Sequence, residues 1–159
     1  MADYDFYNIF EPMEFQDFAR DMIQCREGIV FESFARGTDL GIDGRCVLGD
    51  GSTVIFQAKR IKNTSQTILS IAKTEKEKLD RLAEGGVVIS RYLLALSGDI
   101  GVERKRQVME LFFPYIVASE DIITGQDFNN YLSSGDSRYR CVEEKYFKLW
   151  IQNTKTLKR

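Results

Sequence analysis

The chain contains no histidine in its 159 residues. That absence removes histidine general bases, zinc fingers with histidine ligands and histidine-metal hydrolases. Hydrolytic chemistry would have to use carboxylates, amides, lysine and a hard, oxygen-seeking cation. Cysteine is scarce too. Cys25, Cys46 and Cys141 are odd in number and lack metal-binding spacing, so they read as reduced cytosolic thiols or small core residues. No apolar run approaches the roughly 18 residues of a membrane span. The start, MADYDFYNIF, is acidic and lacks the basic-then-apolar order of a signal peptide, which suggests a cytoplasmic protein. A net charge of −2 gives no global reason to expect nucleic acid, but basic residues gather at KRIK (59–62) and towards the C-terminus.

What is present reads as one α/β domain over 1–159. Residues 11–26 place Phe15, Phe18, Ala19, Met22 and Ile23 on one helical stripe, with Pro12 in the first turn and Gly28 as a stop. IVFESFA (29–35) alternates like a strand. GIDGRCVL (41–48) and STVIFQAKR (52–60) read as two strands joined at Gly49-Asp50-Gly51. A helix is expected over 65–83, with Ile68, Ala72, Leu79 and Leu82 in periodic positions. RYLLALS (91–97) suits a buried strand. A helix over 102–115, a short strand in YIVASEDII, a helix from Thr124 to Leu132 and a last helix over 139–152 complete the order.

The stretch that carries chemistry is GTDLGIDGRCVLGDGSTVIFQAKR (37–60). Alternation puts Val54, Phe56 and Ala58 on one face of the second strand and Ile55, Gln57 and Lys59 on the other. A three-residue loop at 49–51 sets Leu48 opposite Ser52 and Asp43 opposite Gln57. A two-residue loop would set Asp43 opposite Ala58 and scatter the group. In the first register a carboxylate, an amide and an ammonium converge. The carboxylate and amide oxygens, with the Ala58 carbonyl, are hard donors suited to Mg²⁺. The lysine can orient or deprotonate water, or steady charge on a phosphate. Alone, a glutamine and lysine two apart in a strand are usually a solvated face.

These residues resemble the PD-(D/E)XK nuclease superfamily, and within it the Mrr-like restriction endonuclease branch. The pattern is Gly37, Asp39, Gly41, Ile42 and Asp43, then Gln57, Ala58 and Lys59. It implies a restriction-endonuclease-like mixed sheet with an αβββαβ core, metal ligation by Asp43 and Gln57, and catalysis by Lys59. Mg²⁺ would be the cofactor, with Mn²⁺ as a substitute, and DNA the substrate. DYDF, SEDIITGQDFNNYL and VEEKYFKLWIQNT are similar to N-terminal nuclease domains of bacterial STAND NTPases in antiphage defence. That likeness implies a longer parent and self-association through a C-terminal NTPase region outside this chain. Related domains carry a glutamate just after a first-helix phenylalanine. Here Gln16 follows Phe15, and Glu14 precedes it at the edge of the buried stripe. Glu14 is thus either a supporting acid or a first-turn acid favoured by the helix dipole. Asp39 is a second ligand or a turn residue.

Arg36, Arg45, Arg60 and Lys62 are candidate phosphate contacts, or solvated charge. Tyr146, Phe147 and Trp150 in the last helix are core or a docking seam. Two other functions fit the same residues: a nuclease-fold module that binds DNA or assembles without cleaving, and an interaction domain built on the aromatic C-terminal helix.

Overall fold

The computed structural model describes residues 3–33, 41–62 and 65–148. Four strands form one sheet in the order β1-β2-β3-β4: β1 (Gly44–Val47), β2 (Thr53–Lys59), β3 (Ile89–Leu96) and β4 (Ile122–Ile123). The β1–β2 pair is antiparallel, while β2–β3 and β3–β4 are parallel. The helices are α1 (Phe6–Ile9), α2 (Pro12–Glu27), α3 (Ser65–Glu84), α4 (Val102–Phe112), α5 (Gly125–Ser133) and α6 (Arg140–Glu143). Among the described residues no helix is long and apolar enough to cross a membrane.

The sheet separates two apolar layers, and the period of two along β2 decides which residue enters which. Val54 and Phe56 join Phe6, Phe15, Phe18, Met22, Phe128 and Phe147 under α1, α2 and α5. Ile55 joins Ile68, Ala72, Leu79, Tyr92, Leu94 and Phe112 under α3 and α4. The helical stripes expected for α2 and α3 are the ones buried. Burial of each such large side chain contributes roughly 1.5–3 kcal/mol. In the first layer the rings of Phe6, Phe10, Phe18 and Phe147 pack at centroid separations between 5.0 and 6.5 Å.

Two expected elements come out differently, the strand over 29–35 and the last helix. Residues 29–33 contribute only an isolated bridge, Glu32 to Arg45, instead of a strand; residues 34 and 35 lie outside the described residues. The short strand expected in YIVASEDII is present as Ile122–Ile123, after a 3₁₀ turn at Ser119–Asp121. The last helix is broken into a 3₁₀ turn at Ser137–Tyr139, α6 and a π turn at Glu144–Lys148; its end, with Trp150, lies outside the described residues. The π turn is held by polar contacts to α2. The Tyr146 hydroxyl and Lys145 Nζ both donate to Asp21 Oδ2, at 2.6 Å and 2.9 Å. Tyr146 and Phe147 therefore belong to a seam within this fold.

Two polar clasps tie the layers. Arg91 on β3 bridges Glu27 of α2 at 2.5 Å and buried Asp121 at 2.7 Å. Ser97 locks the exit of β2 to the end of β3: its hydroxyl donates to the Ile61 carbonyl at 2.6 Å and accepts from the Ile61 amide at 2.7 Å.

Burial opposes ionisation of Asp21, but Tyr146, Lys145 and Arg20 outweigh it and hold the carboxyl below its usual 3.8. A depressed folded-state value means that the stabilisation is complete above about pH 4 and fades as pH falls through that lower value. Asp21→Asn is expected to lose about 2 kcal/mol at pH 7. In thermal melts the difference from wild type should shrink at about pH 2. An equal deficit at both pH values would contradict this electrostatic account.

Candidate functional site

The β1–β2 register decides whether a site exists. Gly44 pairs with Phe56, Arg45 with Ile55, Cys46 with Val54 and Val47 with Thr53. The Leu48 amide donates to Ser52 O at 2.8 Å, so Gly49-Asp50-Gly51 is the three-residue loop. Gly51 sits at φ 86°, a left-handed conformation that a side chain would strain. The Asp50 carboxylate accepts from the Ser52 amide at 2.9 Å and hydroxyl at 2.6 Å, which fixes the turn. Continuing the same register sets Asp43 opposite Gln57.

Asp43 is half-buried at the mouth of the hairpin, and its Oδ2 accepts from the Ala58 amide at 2.8 Å. The Lys59 carbonyl accepts from the Ser97 amide at 3.2 Å, on the β3 side. Successive carbonyls of a strand point to opposite edges, so Ala58 O is directed to the Asp43 side. Gln57 is 5% exposed, and its Oε1 has no hydrogen-bond partner among the described residues. A buried amide oxygen left without a donor costs about 1–3 kcal/mol. The donor set therefore suits a hard divalent cation: one carboxylate oxygen, one orphaned amide oxygen and one backbone carbonyl on a shared edge. Among the described residues no group of three or more Asp, Glu or Cys side chains forms a metal cage. A cation here would draw on neutral oxygens as well as carboxylates.

Lys59 lies on the Gln57 face, and its Nζ is 2.9 Å from Glu75 Oε1. Glu75 is 3% exposed in the middle of α3, and the same oxygen accepts from Lys78 Nζ at 3.1 Å. Lys78 in turn packs beneath the turn that delivers Asp43. Gly41 has φ 80°, and a Cβ there would stand 2.8 Å from Lys78 Cδ. The hydroxyl of Tyr92, fully buried on β3, likewise has no partner among the described residues. Burial first, then the negative charges of Glu75 and Asp43, push its phenol well above the usual 10. Its hydroxyl is thus within electrostatic reach of both carboxylates.

Sequence reasoning did not find Glu75. The signal was a gap: Ile68, Ala72, Leu79 and Leu82 form a stripe whose missing member is position 75. A carboxylate at a core position of an amphipathic helix needs a partner or a purpose.

The other candidates scatter. Glu14 is exposed, and its Oε1 accepts from the Glu11 amide at 2.9 Å. It acts as a first-turn capping acid instead of joining the cluster, because α2 packs through Phe15 and Phe18 against the opposite face of the sheet. Arg60 has a structural role through its Nε. Its Nε donates to the carbonyls of Tyr7 at 3.0 Å and Phe10 at 2.7 Å, and its guanidinium stacks 4.1 Å from the Tyr7 ring centroid. Arg45 pairs with Glu32 at 2.8 Å in an exposed ion pair, a contact of small net worth that a phosphate could replace. Lys62 is exposed, 5.3 Å from the Tyr7 ring centroid. Arg36 and Asp39 lie outside the described residues. A cavity of about 530 Å³ beyond the ends of β3 and β4 takes in Lys62, but its other charged lining is Asp3, Asp5 and Asp99. That lining disfavours a phosphate, so this cavity is not where the Asp43 cluster would work.

Comparison with known proteins adds a likeness without a function. The chain is 31% identical over 155 residues to a Sinorhizobium fredii (strain NBRC 101917 / NGR234) protein named "Uncharacterized protein y4cD". The match covers 97% of this chain and 22% of that protein. No protein-family profile matches the chain. No solved structure matches it either.

Replacing Gln57 with leucine removes an amide whose oxygen is buried without a donor. Gln57→Leu is expected to raise stability by about 1 kcal/mol in urea unfolding, since an apolar side chain of similar size replaces an unmet polar group. A loss of stability would show that Oε1 is already satisfied.

Proposed function

We propose that this chain is a divalent-cation-dependent DNA endonuclease domain of restriction-endonuclease-like, Mrr-like type. The observation that carries the proposal is the buried Oε1 of Gln57, which has no partner among the described residues and is set opposite Asp43, two residues before Lys59 at the end of β2. Stability alone gives no reason to keep an orphaned amide in a core strand.

A bound Mg²⁺ would supply Lewis-acid neutralisation of the scissile phosphate and acidify a water. The chain's own residues do the rest. Asp43 and Gln57 present hard oxygens from adjacent strands, and the Asp43–Ala58 hydrogen bond fixes the carboxylate against the backbone. Lys59 presents an ammonium that donates to a non-bridging phosphate oxygen and orients the attacking water. Hydrolysis places the water's oxygen on phosphorus and its proton on the departing sugar oxygen. The mixed sheet with helices on both faces supports the same reading. DNA contact in this scheme falls to Arg45 and Lys62, and to Arg36 outside the described residues. With a net charge of −2, the isolated domain should bind DNA weakly. The proposal therefore includes self-association of a longer parent, of the antiphage NTPase kind and in the cytoplasm. The greater length of the Sinorhizobium relative fits that arrangement.

One observation favours the alternative, a nuclease-fold module that binds or assembles without cleaving. The Lys59 ammonium is neutralised by Glu75, and Glu14 stands apart from the cluster. Supercoiled plasmid separates the two readings. With Mg²⁺ or Mn²⁺ the chain at high concentration is expected to nick DNA. Asp43→Ala and Lys59→Ala should each lower the rate by at least about 100-fold. No nicking, or full nicking by Lys59→Ala, would overturn the endonuclease reading.

A further inference from the structure

We infer that Glu75 of α3 is a ligand of the same cation site, the second carboxylate that Gln57 does not provide. Glu75 has this role only if the cation site proposed above exists. Three observations converge. First, Glu75 is 3% exposed, yet it lies on the apolar stripe of α3 that packs over β2 and β3. Second, it is linked directly to Lys59, the neighbour of Ala58, and through Lys78 to the turn that delivers Asp43. Third, the layer it enters contains two buried polar atoms with no partner among the described residues, Gln57 Oε1 and the Tyr92 hydroxyl. A purely structural ion pair would leave both unmet. A cation with its water would engage them.

Charge makes the same point. Without a cation, the carboxylates of Asp43 and Glu75 balance the ammoniums of Lys59 and Lys78. A divalent cation seated on Asp43 and Gln57 alone would meet one carboxylate. Recruiting Glu75 gives it two, matching its charge. That exchange withdraws Glu75 from Lys59 and frees the ammonium for a phosphate. The Lys59–Glu75 pair is then the resting state of the site: the lysine is held until the cation arrives. A buried pair is weak support for stability, since the attraction largely offsets the cost of desolvation. Its conversion into a cation site is correspondingly inexpensive.

Calorimetric titration with MnCl₂ tests this without DNA. Wild type is expected to bind one Mn²⁺, and Glu75→Gln to weaken the affinity by at least about tenfold. Lys78→Met removes a competing ammonium and should tighten binding several-fold, an opposite change that general loss of structure cannot mimic. On saturation with Mg²⁺ the Lys59 side-chain NMR signals should shift in wild type and stay in place in Glu75→Gln. Asp43→Asn separates the two levels of the argument. If Asp43→Asn abolishes binding while Glu75→Gln and Lys78→Met leave it unchanged, the cation site stands and the role of Glu75 is overturned. If wild type binds no Mn²⁺, or Asp43→Asn binds as well as wild type, the cation site itself is overturned, and the role of Glu75 with it. Should Glu75→Gln fail to fold, the sign of the Lys78→Met change decides: unchanged or weaker binding overturns the inference.

Discussion

The hairpin register is the constraint from which the site follows. Three residues in the loop put Asp43 across from Gln57. Two would put it across from Ala58, on the other face of the sheet. Nothing else in the chain could repair that slip, because the helices contact β2 through alternate residues and each face is committed to its own layer. The turn chemistry is accordingly specific. Asp50 accepts twice from Ser52, and Gly51 takes the left-handed conformation. The energy that holds the register comes from Ile55 and Phe56 entering opposite cores, and the loop only selects among pairings.

That rigid frame carries a polar group which the core does not need. Most buried polar atoms find partners, and this structure shows the habit in Ser97, Asp121 and Asn129. Among the described residues Arg26 Nη2, Gln57 Oε1 and the Tyr92 hydroxyl break it, the last two on the face of the sheet that α3 and Glu75 cover. A fold tolerates such a defect when the site has another use, and the cost is affordable against the aromatic core on the far face. Lys59 and Lys78 offset the charge of buried Glu75, so the polar group is tolerated in this layer.

Much of this was legible in the sequence, for a physical reason. Period-two and period-3.6 patterns report burial on one face, so β2, α2 and α3 could be read directly, while the hairpin was narrowed to two registers of which the structure has the three-residue loop. What escaped was tertiary. Arg60 looks like a free cation beside a basic run, but its partners are carbonyls some fifty residues away in sequence, at Tyr7 and Phe10. Glu14 looked inward on a helical wheel, but the wheel does not say that the first turn would use the acid as a cap. The strand expected over 29–35 alternates correctly but makes only a single bridge to Arg45. Glu75 was visible only as an interruption. The family likeness suggested the roles of Asp43, Gln57 and Lys59; the register of the hairpin and the orphaned amide are independent of it.

The central claim is that the Asp43–Gln57 edge of the hairpin seats a divalent cation. Paramagnetic broadening by substoichiometric Mn²⁺ in amide NMR spectra tests it most directly, because the effect falls off steeply with distance from the ion. The account predicts that the side-chain amide of Gln57 and the backbone amides of Asp43 and Ala58 broaden first. Broadening centred on the acidic cavity of Asp3, Asp5 and Asp99, with Gln57 untouched, would contradict it.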